Sequence, residues 1–104
     1  MSNKYDEAIN SYLRALELNE QSPECHFNLA SAYNDVKSYQ KAVTHYHRAI
    51  ELDNKNVDAF LCLGGVLETL RQYEKAEKVY KCALELDPDN TKAKEGIKKI
   101  REKK

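Results

Sequence analysis

Residues 34 apart match along this chain of 104 residues. Tyr5, Tyr39 and Tyr73 make one such column, Ala8, Ala42 and Ala76 a second, and Tyr12, Tyr46 and Tyr80 a third. Ala15, Ala49 and Ala83, then Leu18, Leu52 and Leu86, add two more; Leu29, Leu63 and Ile97 add a sixth. A fixed period of this length means one supersecondary unit copied along the chain. Such a unit buries its apolar face only by stacking on a neighbour, so the period constrains the fold more than any other feature.

Within the period the spacing is helical. In YQKAVTHYHRAIEL the residues Tyr39, Ala42, Val43, Tyr46, Ala49 and Ile50 step by three and four, which is one face of an α-helix. YDEAINSYLRALEL and YEKAEKVYKCALEL repeat that face, while HFNLASAYNDV and FLCLGGVLETL supply a second helix in each unit. The stops NEQSP, DNKN and DPDN stand between units. The pattern predicts helices over 4–18, 24–36, 39–52, 57–70, 73–86 and 91–103.

These residues resemble the tetratricopeptide repeat family, whose pattern runs W-x2-L-G-x2-Y, then A-x3-F, then P. The first full copy reads His26, Leu29, Ala30, Tyr33, then Ala42 and Tyr46. The second reads Phe60, Leu63, Gly64, Leu67, then Ala76 and Tyr80, closing on Pro88. The resemblance implies an all-α fold, a right-handed α-solenoid of stacked antiparallel helix hairpins. It divides a single domain over 1–104 into a half repeat (4–22, second helix only), repeats over 23–56 and 57–90, and a capping helix over 91–104. The last helix keeps only Ala93, Ile97 and Ile100 as an apolar stripe and places Lys94, Lys98 and Arg101 around it. One packed face and one wetted face is what a terminal cap requires, so the array is expected to end there and to open in mid-repeat at the other end.

Composition agrees with a soluble helical protein: 33% charged, 41% apolar, three glycines and two prolines. The longest mainly apolar stretch, Ala59 to Leu67, is too short to span a bilayer, and no secretion-signal pattern opens the chain. Cys25, Cys62 and Cys82 are odd in number and far apart, which fits neither a disulfide framework nor a zinc site. Free thiols place the expected location inside the cell, in the cytoplasm.

Enzyme signatures are missing. His45 and His47 are two apart on one helix and do not share a ligand face, and His26 occupies the aromatic packing column. No Gly-Lys-Ser/Thr loop, no Ser-Gly elbow and no metal spacing occurs. The expectation is a non-enzymatic chain with no cofactor and no metal.

In the family, the first helix of each hairpin lines a concave, peptide-binding surface. The resemblance assigns that surface here to Phe27, Asn28, Ser31 and Asp35, then to Asp58, Leu61, Cys62, Gly65 and Thr69, and on the capping helix to Lys92, Glu95, Gly96 and Lys99. Asn28 matches an asparagine that pairs with peptide backbone in relatives; its amide donates and accepts together. One subfamily clamps the acidic C-termini of Hsp70 and Hsp90 chaperones with a lysine and an arginine, at positions held here by Asp58 and Cys62. An aspartate repels carboxylates, so the acidic chaperone tail is not the expected ligand. Asp35, Asp58 and Glu68 instead favour a protein or peptide partner with an apolar anchor and a nearby Lys or Arg.

Charge is uneven. Residues 1–90 hold 10 basic and 15 acidic side chains, and residues 91–104 hold 7 basic and 2 acidic. The basic end lacks interleaved aromatics for base stacking, so it reads as a solvated cap and neither nucleic acid nor membrane is an expected partner. The alternative function is structural: Ile9, Leu13 and Leu16 on the unpaired first helix offer apolar surface for self-association into a homo-oligomer or for a longer repeat array. Finally, Gly64 shares a column with Ala30, where a side chain would push two helices apart. Its neighbour Gly65 aligns with Ser31 and has no packing reason in the pattern.

Overall fold

The computed structural model describes residues 3–19 and 21–103, with side chains from Asp6 onward. The side chain of Tyr5, Glu20 of the NEQSP stop and Lys104 of the cap therefore lie outside the described residues. The described residues form six α-helices and no strand: α1 (Asn3–Leu18), α2 (Pro23–Asp35), α3 (Tyr39–Leu52), α4 (Val57–Thr69), α5 (Tyr73–Leu86) and α6 (Thr91–Lys103). Each bound falls within one residue of the periodicity reading.

The helix starts are written in the side chains. Ser22 caps α2 by accepting from the Cys25 amide at 3.1 Å, and Pro23 supplies the first turn with a preset φ. Asn56 accepts from the Ala59 amide at the start of α4, and Asn90 from the Ala93 amide at the start of α6. Two helix ends need a residue that the sequence gives no sign of. Lys37 and Arg71, one period apart, adopt φ of 66° and 62°. After α2, the amide of Lys37 donates to the Asn34 carbonyl and that of Ser38 to the Tyr33 carbonyl. After α4, Arg71 and Gln72 repeat this with Glu68 and Leu67. This is the Schellman closure that usually employs glycine.

The chain divides into two compact units, residues 1–54 and 55–104. In the first, α2 packs against both α1 and α3. Its core is Leu16, Leu29, Ala30, Ala32, Ala42, Tyr46 and Ala49, with His26 the buried polar residue. The alanines are small enough for α2 and α3 to approach closely, and Tyr46 fills the volume they leave. In the second unit α5 packs against α4 and α6, and α4 also meets α6. Leu63, Val66, Leu67, Tyr80, Ile97 and Ile100 fill its core between the alanines Ala59, Ala76, Ala83 and Ala93.

Gly64 and Gly96 set the geometry of that second core. A Cβ on Gly64 would lie 2.7 Å from the Tyr80 ring, and one on Gly96 would lie 2.6 Å from its other edge. Neither position tolerates a side chain without moving the ring. A Cβ on Gly65 would meet nothing within 4 Å. Gly64 thus serves packing, as its column implies, and Gly65 does not.

Candidate functional site

In the first unit, the four α2 residues assigned to a binding face divide into two kinds. Asn28 and Asp35 are exposed. Phe27 and Ser31 are half-buried and already engaged with Tyr46. The Phe27 ring meets the Tyr46 ring edge-on at 5.6 Å, and Ser31 Oγ lies 2.9 Å from the Tyr46 hydroxyl. Beside them runs a stack. His26 lies on His45 with ring centroids 5.3 Å apart and Nδ1 atoms 3.1 Å apart, and Tyr33 stacks on His45 at 5.6 Å. Lys41 Nζ stands 5.5 Å from the Tyr33 ring centroid. Burial, with the second histidine adding to it, pushes the His45 pKa below its ordinary value. His47, by contrast, is exposed.

In the second unit, Asp58 and Thr69 are exposed, whereas Leu61, Cys62 and Gly65 are half-buried. The Thr69 hydroxyl donates to the Gly65 carbonyl at 3.1 Å, a back-bond into its own helix. A cleft of ≈ 210 Å³ opens between α4 and α6. Leu61 and Glu68 line it from α4, Tyr80 from α5, and Lys92, Glu95, Gly96 and Lys99 from α6. The structure therefore brings Leu61, Lys92 and Lys99 together, while Asp58, Cys62, Gly65 and Thr69 stand outside that cleft.

Glu68 and Tyr80 are the residues the sequence undervalued. The Tyr80 hydroxyl donates to the Glu68 carboxylate. Burial first, and then this bond to an anion, raises the Tyr80 pKa well above the ordinary phenol value. The missing signal lies in the register of the two repeats. Ser31, which meets the Tyr46 hydroxyl in the first unit, corresponds to Gly65 in the second. With no hydroxyl at 65, the Tyr80 hydroxyl bonds the carboxylate one turn further on.

The three apolar residues assigned to self-association on α1 do not behave alike. Leu16 is 9% exposed and belongs to the core of the first unit, because α2 covers it. Leu13 remains 38% exposed and Ile9 half-buried, and Leu18, which was assigned no role, is 91% exposed. The accessible apolar surface of α1 thus lies at Leu13 and Leu18, with Ile9 at its margin.

Among the described residues no three or more His, Cys, Asp or Glu side chains are grouped to hold a metal ion. No described helix is long and apolar enough to cross a membrane. None of the three cysteines forms a disulfide: Cys25 donates its thiol to the Tyr12 carbonyl at 3.3 Å, Cys62 is half-buried and Cys82 is exposed.

A TPR repeat profile matches residues 2–37 and 30–70, and a tetratricopeptide repeat profile matches residues 57–90. No curated protein matches the chain. Among solved structures, the first TPR of Spaghetti (RPAP3), bound to the HSP90 peptide SRMEEVD, is 32% identical with a TM-score of 0.91. That alignment covers 97% of this chain and 80% of the other. The Arabidopsis OM64 TPR domain is 31% identical over 98% of this chain and 84% of its own, with a TM-score of 0.90. The second TPR domain of human RPAP3, in complex with the HSP70 peptide SGPTIEEVD, is 28% identical over 95% and 82%, with a TM-score of 0.88. The fold class is accordingly the all-α helical-repeat solenoid. Period, helix hairpins, profiles and solved neighbours agree: the chain belongs to the tetratricopeptide repeat family.

Proposed function

We propose that the chain is a non-enzymatic protein-interaction module that takes a peptide segment of its partner in a groove and acts as a scaffold or adaptor. The observation that carries this reading is the similarity to domains solved with bound peptides, at up to 32% identity among those described above. The first unit offers the exposed amide of Asn28 for peptide backbone, flanked by Phe27 and Ser31, with Asp35 beyond. The second offers Asp58, Leu61, Cys62, Gly65 and Thr69 on α4, and Lys92 and Lys99 on α6. Rigid helices bearing these groups leave mainly the ligand to be ordered on binding, which lowers the entropic cost of association. The proposed compartment is the cytoplasm, where thiols such as exposed Cys82 stay reduced.

The partner chemistry proposed here differs from that of the two peptide complexes. Exposed Asp58 and half-buried Cys62 stand where a lysine and an arginine would hold a terminal carboxylate pair. Acidic side chains repel such a tail, so the partner carries an apolar anchor and a basic residue instead. Two measurements test this. Fluorescence anisotropy with labelled SRMEEVD and SGPTIEEVD is expected to show no saturable binding. A pull-down comparing wild type with Asn28→Ala/Asp58→Lys is expected to lose the partner in the variant, and recovery of the same proteins by both would sink the groove reading.

A second reading rests on α1. Leu13 and Leu18 are exposed, and surface of that kind supports association with further repeats or with another copy. Light scattering on wild type and Leu13→Glu decides it, since a strict monomer at high concentration rules out self-assembly.

A further inference from the structure

We infer that the α4–α6 cleft of the second unit receives a pair of oppositely charged side chains from one partner segment, a Lys or Arg on Glu68 and an Asp or Glu on Lys92 and Lys99. This rests on the peptide-binding reading above and specifies its ligand. At ≈ 210 Å³ the cleft is smaller than the roughly 300 Å³ at which small-molecule and cofactor sites begin, and it suits one or two side chains.

Glu68 is held in place before any ligand arrives. Its carboxylate accepts from the Tyr80 hydroxyl, and the Tyr80 ring is buried between Gly64 and Gly96, where an added Cβ would lie 2.7 and 2.6 Å from its two edges. A carboxylate oriented by a packed neighbour binds a cation without first losing its own rotamer freedom. Tyr80 is a positioning residue here, acting through Glu68. Half-buried Leu61 supplies apolar surface for the aliphatic stem of a lysine or arginine.

The charges of the cleft fix the second half of the ligand. Glu68 and Glu95 are negative, Lys92 and Lys99 positive, and none of the ion pairs among the described residues uses Lys92, Glu95 or Lys99. A lone cation in this cleft is attracted by two groups and repelled by two. A lone anion fares no better. A segment carrying both signs meets Glu68 with one and the α6 ammonium groups with the other, so both contacts are favourable. The alternation Lys92, Glu95, Lys99 follows the three- and four-residue steps of one helical face, which keeps the two ammonium groups on the cleft side.

NMR titration of the full chain tests the inference with four blocked tripeptides: acetyl-Arg-Ser-Glu-amide, and the same peptide with Gln replacing Arg, Glu or both. The expected result is saturable shifts of the Leu61, Glu68, Gly96 and Lys99 amides that are strongest with the doubly charged peptide, weaker with each singly charged one and weakest with the uncharged one. Glu68→Gln keeps an acceptor for the Tyr80 hydroxyl and removes only the charge; it is expected to weaken binding about threefold, the range of partly exposed ion pairs. Tyr80→Phe is expected to weaken the Arg-Ser-Glu peptide while leaving the Gln-Ser-Gln control unchanged. Equal shifts with the uncharged peptide, or undiminished binding to Glu68→Gln, overturn the inference. If the partner captured by wild type is lost from Asn28→Ala and retained by Glu68→Gln, the groove reading stands and the cleft assignment falls.

Discussion

The Tyr80 hydroxyl donates to the Glu68 carboxylate, while Tyr46, its counterpart one period earlier, lies against the Ser31 hydroxyl. The tyrosine column is constant and its partner is not. The substitution of Gly65 for Ser31 in register accompanies the change, and it separates the two adjacent glycines of α4 into different roles.

Those roles predict opposite signs. Gly64→Ala drives a Cβ into the Tyr80 ring, and the overpacking exceeds the helix-propensity gain, for a net loss of about 1–2 kcal/mol. Gly65→Ala meets open space and gains about 0.5–1 kcal/mol from propensity alone. Urea unfolding of the two single variants measures both, and a shift of the same sign in each would contradict this account.

The Schellman closures at Lys37 and Arg71 place ordinary side chains in the left-handed region. Left-handed backbone disfavours an L-residue by roughly 1–2 kcal/mol, and part of the relief on changing to glycine is returned through the freer unfolded chain. Lys37→Gly and Arg71→Gly are each expected to raise stability by about 0.5–1 kcal/mol. Thermal melts monitored by circular dichroism show this as a higher midpoint, and a drop in either variant would mean that its side chain contributes contacts outweighing the backbone.

Acid is expected to destabilise the first unit through His45. Its folded pKa lies below the unfolded value of 6.5, so the folded state holds fewer protons in that range and unfolding takes protons up. The contribution is full above 6.5 and is lost as pH falls through the depressed folded value. Denaturant midpoints measured across this range should fall for wild type and change less for His45→Phe, which keeps a stacking ring without a titrating group.

Much of this fold was legible in the sequence because it depends on spacing. Six columns at one period fixed the helix bounds to within a residue, and the small-residue column at Ala30 and Gly64 marked a close approach. What could not be read depends on which atoms meet across helices. The Tyr12, Tyr46 and Tyr80 column looks uniform, and only the folded units reveal that one hydroxyl faces Ser31 and another Glu68. Lys37 and Arg71 carry no glycine or asparagine mark for their left-handed turns. Leu16 reads as surface from the pattern of α1 alone, yet α2 covers it, while Leu18 at the helix end stays exposed. On the candidate binding face, charges could be read from the sequence, but Phe27 and Ser31 prove to support Tyr46 as well.

Because the packing ring and the hydrogen-bonding hydroxyl belong to one side chain, the tyrosine column separates inheritance of shape from inheritance of chemistry. The ring keeps the hairpin at its spacing, whatever the hydroxyl finds. Mutation at positions such as 31, 65 and 68 can then redraw the surface, from a neutral hydroxyl to a fixed carboxylate, while the scaffold underneath stays put. A repeat protein built this way can acquire a new partner by exchanging one residue per unit.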